Sequence, residues 1–318
     1  MKKTFLLLFL CLTTGVFAER IEPIPFGDME SWVVRYVQES KLLGGKTRTL
    51  YALAPTDTIW ENGPYYYGQN GNPWATSNAY ANIIGIEKAA GTMTPEARED
   101  GGTCCRMDVD LLGVRVMGMI DVQVLVPGTL FTGRNLEPIT TAADPYQNID
   151  FGVPFTQHPV ALMLDYKATI SEADSLITTE RNKPEWIDGH DCAVVFVYLQ
   201  YRWEDKETGK IYARRVGTAY ERICETIPEW VNNHEIPIRW GNITTSVDYQ
   251  AYEGLNQCDM MTRNSRGKMV RVEEVGWSLD EPTHVVMYIS SSNAGVFRAY
   301  EGNTLWVDNL RWVYESEE

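Results

Sequence analysis

The sequence is poor in positive charge: 28 Lys and Arg stand against 43 Asp and Glu, giving a formal charge of −15 over 318 residues with no basic cluster. Binding to a phosphate backbone needs a basic face, so a nucleic-acid partner is excluded. Long apolar runs are missing after the amino-terminal leader, and none approaches the roughly 20 residues of a membrane span, so no transmembrane segment is expected in the mature chain. Only four histidines occur, scattered at His158, His190, His234 and His284. There is no Gly-x-Ser-x-Gly, no Gly-rich phosphate loop, no Cys-x-x-Cys and no His-x-x-x-His. Esterase-type nucleophilic catalysis, nucleotide binding and zinc therefore lack a motif. Of six cysteines, Cys11 lies in the leader, which leaves Cys104, Cys105, Cys192, Cys224 and Cys258. An odd set without regular spacing does not read as a disulfide framework, so reduction is expected to leave the fold intact. The adjacent Cys104 and Cys105 form either a vicinal disulfide or, more simply, two strand residues on opposite faces.

What is present begins with Met1-Lys-Lys-Thr, an apolar run from Phe5 to Leu12 and the small-residue ending Val16-Phe-Ala18. Those are the parts of a secretory signal peptide spanning residues 1–18, so export to the periplasm or cell surface is expected. Lipid attachment at Cys11 is the competing outcome, although bulky Leu10 stands where a small residue is needed. The rest is dominated by β-branched and aromatic runs broken by Gly, Pro, Asn and Asp, among them Thr103 to Leu111, Val160 to Ile170, Cys192 to Trp203 and Thr304 to Tyr314. This pattern predicts an all-β jelly-roll sandwich of two antiparallel sheets. The polar turn from Trp203 to Lys210, ending in Gly209, predicts a hairpin. Helix is confined to short candidates at Thr218 to Glu225 and Asp248 to Leu255. With no repeat, linker or low-complexity tract, residues 19–318 read as a single domain.

Several stretches resemble the Putative carbohydrate metabolism domain (PCMD) family of Bacteroidota. They are Phe26-Gly-Asp-Met-Glu-Ser-Trp32, Pro73-Trp-Ala-Thr-Ser-Asn78, Gly128-Thr-Leu-Phe-Thr-Gly133, Gly152-Val-Pro-Phe-Thr156, Leu164-Asp-Tyr-Lys167, Trp230 to Pro237, and the ending Leu305-Trp-Val-Asp-Asn309. Each is weak alone, but their order makes the likeness specific. It implies a jelly roll linked to glycan use. The first and last of these stretches also resemble carbohydrate-binding modules of the galactose-binding-like type. In those modules the first and last strands lie side by side and often hold a structural calcium. Glu30 and Asp308 are the matching positions, and two carboxylates would need carbonyls or water to complete a shell of about six to eight oxygens. The simpler role for both is capping strand ends.

For a glycan ligand the richest stretch runs from Trp60 to Asn78, combining Tyr65, Tyr66, Tyr67 and Trp74 with asparagines on a Gly/Pro-broken loop. Sugar rings pack their C–H faces on aromatics and bond their hydroxyls to amides, which selects Trp74, Tyr66 and Asn78, with Trp186 as a further candidate. Three consecutive tyrosines cannot all face one ligand. Glycoside hydrolysis requires two facing carboxyls, and Asp108, Asp110, Asp165, Glu229, Glu235 and Glu274 are all available. Their abundance gives no pair. The reading is an exported glycan-binding protein, against two rivals: a hydrolase on the same sandwich and a structural or adhesive surface subunit.

Overall fold

The computed structural model describes residues 19–65, 72–116, 120–141, 145–181, 183–295 and 297–316. Two large sheets face each other. Taking in chain order the eight strands that form the centre of these sheets, Thr103–Val116 is the first, Thr129–Asn135 the second, Ala161–Thr169 the third and Ala193–Glu204 the fourth. Ile211–Ile223, Ile227–Pro237, His284–Ser290 and Thr304–Tyr314 follow as fifth to eighth. The seven-stranded sheet orders them first, eighth, third, sixth, and the ten-stranded sheet orders them second, seventh, fourth, fifth. That interleaving is the jelly roll. Short strands extend both sheets, and Arg20–Pro23 zips onto the last strand from Tyr314 back to Arg311. Pairing departs from the expected all-antiparallel pattern where Ile211–Ile223 runs parallel to Met269–Trp277 and, in a smaller sheet, where Trp32–Gln38 runs parallel to Asp57–Ile59.

The fourth strand shows why its sequence is so apolar. It is buried without interruption from Ala193 to Gln200. Val195, Val197 and Leu199 enter the core between the sheets against Leu162, Leu164 and Val307. Phe196 and Tyr198 point the other way, into a second cluster with Val33, Ala52, Phe131 and Phe151. A strand covered on both faces reads as a continuous apolar run rather than an alternation. The cover on that second face includes the small sheet of Trp32–Gln38, Thr47–Leu53 and Asp57–Ile59, which supplies Val33 and Ala52. Each fully buried Val, Leu or Phe contributes about 1.5 to 3 kcal/mol.

The Trp203 to Lys210 turn closes a hairpin whose arms pair from Glu204 with Ile211 out to Ala193 with Ile223. The Thr218 to Glu225 helix candidate lies mostly in the second arm, where pairing with the fourth strand overrides local preference. Asp248 to Leu255 yields one 3-10 turn, Ala251–Glu253. Among the described residues no helix is long and apolar enough to cross a membrane.

The cysteine expectation is corrected. One step beyond the last hairpin pair, Cys192 and Cys224 form a disulfide with Cα atoms 4.3 Å apart. The two lie nearly equidistant in sequence from the turn, so the hairpin itself brings them together. Cys104 and Cys105 are unpaired and buried, Cys105 within the main core and Cys104 bonding the Glu96 carbonyl. Closing a loop with a sequence separation of 32 should stabilise by on the order of 3 kcal/mol. Reductant, or Cys192→Ser, is therefore expected to lower the melting temperature by roughly 5 to 10 °C; a melt that does not move would mean the bridge is thermodynamically idle.

Candidate functional site

Three adjacent strands of the seven-stranded sheet lose register at one level. Between Met163 and Asp165, three steps of the last strand, Arg311 to Asp308, match two of its neighbour. Between Leu164 and Tyr166, three steps of Ile227–Pro237, His234 to Val231, again match two. The extra residues sit around Asn309 and Asn233, whose φ angles of 52° and 55° are left-handed. Asparagine tolerates that conformation better than other non-glycine residues. β-bulges re-aim side chains, and these gather Asp165, Asp308, Asn233 and Asn309 at one cavity of about 530 Å³. Asp28, Glu30, Asp100 and Asn232 complete its polar wall.

Arg98 fills the centre. Its Nη1 donates to Asp165 at 3.0 Å and Asp308 at 2.8 Å, its Nε and Nη2 donate to Asp100 at 2.8 Å each, and Nη2 also reaches Asn232 Oδ1 at 3.1 Å. Burial opposes the guanidinium's charge, but hydrogen bonds to Asp100, Asp308 and Asp165 more than offset this and raise its pKa. For Asp308, burial dominates and pushes the carboxyl up to about 6, against hydrogen bonds from Arg98 and the Asn309 amide. Asn309 Nδ2 donates to Asp165 Oδ2 at 2.8 Å and to Asp308 Oδ2 at 3.3 Å. Asp165 Oδ1 accepts the Asn233 amide at 2.8 Å and Arg311 Nη2 at 3.3 Å.

Trp230 borders this network, its ring centroid 4.1 Å from the Arg98 guanidinium carbon. The Lys167 ammonium lies 5.4 Å from Trp230 and 5.0 Å from Trp306, so a row of cations and half-buried indoles runs along the outer face of the sheet. The indole Nε1 of Trp306 donates to Glu96 at 2.8 Å. That of Trp230 is buried and meets no acceptor. An unmet buried donor beside a polar cavity is a group that a ligand oxygen would satisfy.

The structure separates the sequence-selected residues. Trp74 is fully buried and its Nε1 donates to the Pro25 carbonyl at 2.8 Å, so it is a core residue and not a loop platform. Its Gly/Pro-flanked stretch misled, because Trp74–Thr76 is a short strand pairing with Thr129–Asn135. Asn78 is also a peg: Nδ2 donates to the Tyr51 and Met93 carbonyls, Oδ1 accepts the Thr92 and Met93 amides, and no capacity is left for a sugar. Tyr66 lies outside the described residues. Trp186 remains exposed at 65%, on the edge strand Glu185–Asp188 with Tyr300 at 6.3 Å.

Glu30 and Asp308, the positions that the resemblance matched to calcium ligands, line one cavity. Calcium does not fit the arrangement: Glu30 Oε1 accepts the Thr103 amide at 2.7 Å, and Asp308 Oδ2 already faces the positive charge of Arg98. No group of three or more His, Cys, Asp or Glu side chains able to hold a metal occurs among the described residues. Of the six carboxylates weighed for hydrolysis, Asp165 alone lines this cavity, while Glu274 is buried against Arg215. Arg98 was missed, since nothing in Arg98-Glu-Asp100 points to residues far along the chain. The Asn232-Asn233 pair was a usable signal, because asparagine is depleted in strands and two together mark a bulge.

The family model for the Putative carbohydrate metabolism domain matches residues 55–313. No curated protein matches the sequence. Among solved structures, the chain is similar to a "putative glycoside hydrolase" from Bacteroides thetaiotaomicron, with 17% identity, TM-score 0.44, and 85% of this chain and 76% of that one covered. It is also similar to a "putative glycoside hydrolase" from Bacteroides vulgatus, with 16% identity, TM-score 0.39, and 92% and 95% covered. With most of its length matched, and with the opening and closing motifs of the sequence meeting at one polar cavity, this chain belongs to the Putative carbohydrate metabolism domain family.

Proposed function

We propose that the protein binds glycan in the cavity around Arg98. The observation that carries this reading is the coincidence, around Arg98, of two bulged strands, amide and carboxylate side chains, and the Trp230 indole with its unmet N–H. Sugar hydroxyls donate and accept at once; the amides of Asn232 and Asn233 supply donors and the carboxylates of Asp28 and Asp100 acceptors. Trp186 with Tyr300 supplies a second, exposed aromatic surface. Export fits the Cys192–Cys224 disulfide, which persists in oxidising compartments, and the leader-like sequence of residues 1–18.

Hydrolysis is the second reading, favoured by Asp165 and Asp308 facing one another across Arg98 with Asp308 near 6. Binding is preferred because the carboxyl oxygens are occupied. Asp165 uses both, and Asp308 Oδ1 accepts the Asn309 amide at 2.7 Å while Oδ2 holds Arg98. A general acid must present its proton to the leaving oxygen, and neither group has an oxygen to spare.

A glycan array followed by an assay for reducing ends tests both. Asp28→Ala and Asn232→Ala, each at an exposed position, should weaken binding about tenfold, or roughly 1.4 kcal/mol, without moving the melt. Parent-like binding by both variants would remove the cavity from consideration. Reducing ends released by the parent and not by Asp308→Asn would transfer the assignment to hydrolysis.

A further inference from the structure

The second cavity, of about 810 Å³, has the opposite chemistry to the first. It opens between two turns at one end of the ten-stranded sheet: the turn joining Ala193–Glu204 to Ile211–Ile223, and the turn joining Met261–Arg263 to Met269–Trp277. Lys210, Arg266, Lys268 and Arg271 line it, with Glu273 as the one acidic side chain. On a chain of net charge −15 this is a local reversal of sign. Arg271 is paired with Asp259 at 2.7 Å. Neither Lys210 nor Lys268 has a carboxylate within ion-pair distance among the described residues. Parallel pairing sets Ile211 opposite Val272, which brings Lys210 beside Arg271. Asp259 offsets Arg271 alone, so an anion bound between the two side chains would relieve the repulsion that Lys210 adds.

The cleft is also built to hold its shape. Asn264, only 7% exposed, donates from Nδ2 to the Gly209 carbonyl at 2.8 Å and accepts the amides of Arg266 and Lys268 at 3.0 and 2.9 Å. Arg266 Nη2 donates to the carbonyls of Lys206 and Glu207 at 2.6 and 3.0 Å, tying one turn to the other. Glu204 accepts both the amide and the hydroxyl of Ser265 at 2.8 Å. Gly209 has φ 71°, and a Cβ there would come within 2.9 Å of Asn264 Nδ2. Met261, Met269, Val270 and Ile211 give the cavity an apolar floor. A rigid cleft with cations on its walls and an apolar base suits a ring that carries a negative group.

We infer that this cleft is a subsite for an acidic saccharide, a sugar bearing a carboxylate or a sulfate. The inference rests on the carbohydrate role but not on the cavity around Arg98. The global charge repels such a ligand at long range, yet at physiological salt the field is screened beyond about 8 Å, so the local cluster decides.

Calorimetric titration of the full mature protein with a galacturonic acid trimer, a sulfated disaccharide and neutral maltotriose, at low and moderate salt, tests it. The acidic sugars should bind at least tenfold tighter than the neutral one and weaken as salt rises. Lys210→Glu combined with Lys268→Glu, both exposed, should remove that preference at an unchanged melting temperature, while Asp28→Ala should leave it intact. Binding of only one acidic sugar would assign the group as carboxylate or sulfate. The inference is overturned if no acidic sugar binds, if the neutral sugar binds equally, or if the charge-reversed protein behaves as the parent. The reading of the first cavity stands or falls separately, on neutral-glycan binding by Asp28→Ala and Asn232→Ala.

Discussion

Trp74→Ala is expected to lower the stability of the protein by about 3 to 5 kcal/mol, the range for truncating a buried aromatic whose surroundings collapse only partly. Trp74 has no exposed surface and packs in the main core. Its loss would leave a void there and orphan the Pro25 carbonyl, which accepts the indole N–H. Trp74→Phe should recover much of the packing but not the hydrogen bond. Chemical denaturation curves for the parent and both variants measure the effect. A loss under about 1 kcal/mol for the alanine variant would return Trp74 to the surface and reopen a stacking role.

Arg98→Ala should cost a similar amount at neutral pH, about 3 to 5 kcal/mol, because it leaves the buried Asp308 carboxylate without its counter-charge and Asp165 with Arg311 alone. The Asp165 and Asp308 side chains are 7% and 6% exposed, so water can replace little of what Arg98 supplies. The sign of the pH dependence follows. Burial already raises Asp308 to about 6, and losing Arg98 removes an opposing influence, so the carboxyl should titrate higher still. A group raised on folding favours the folded state while it is protonated and loses that advantage as pH rises through its folded pKa. The deficit of the variant should therefore shrink as pH falls toward 5, and adding Asp308→Asn should recover part of it at pH 7. Lysine is no substitute at this position, since a point charge cannot bridge three carboxylates in a plane. A chelator should leave the parent melt unchanged, because a guanidinium and not an ion neutralises the junction. A chelator-sensitive parent, or an Arg98→Ala variant as stable as the parent, would refute this account.

The parts of the fold legible in the sequence were those set by local pattern. The fourth strand announced itself through an uninterrupted apolar run, and the Trp203 to Lys210 turn placed the hairpin. The same hairpin fixed the Cys192–Cys224 pairing by simple symmetry about the turn, which counting cysteines could not reveal. Family-like motifs singled out Glu30 and Asp308 as calcium positions, and the cavity the two line is centred on a guanidinium. What stayed hidden depends on contacts distant in sequence. Arg98 and Asp308 are 210 positions apart, and no local pattern ties them together. Trp74 and Asn78 have the composition of a binding loop, yet burial is a property of what packs on a segment, and both serve the scaffold. The two asparagines at Asn232 and Asn233 were the clearest unread hint of a bulge.

The place of the Thr304–Tyr314 strand has a kinetic consequence. It lies inside its sheet, between Thr103–Val116 and Ala161–Thr169, and its Thr304 hydroxyl bonds Asp108, 196 positions earlier. Pairings of such separation carry a large loop-closure entropy before they return any energy, so assembly of this sheet is slow. The strands synthesised first must wait, their apolar faces and unpaired edges open, for the last one to fill the gap between them. During that interval competition with self-association is set by how soon the final strand arrives and docks, not by how stable the finished sandwich is.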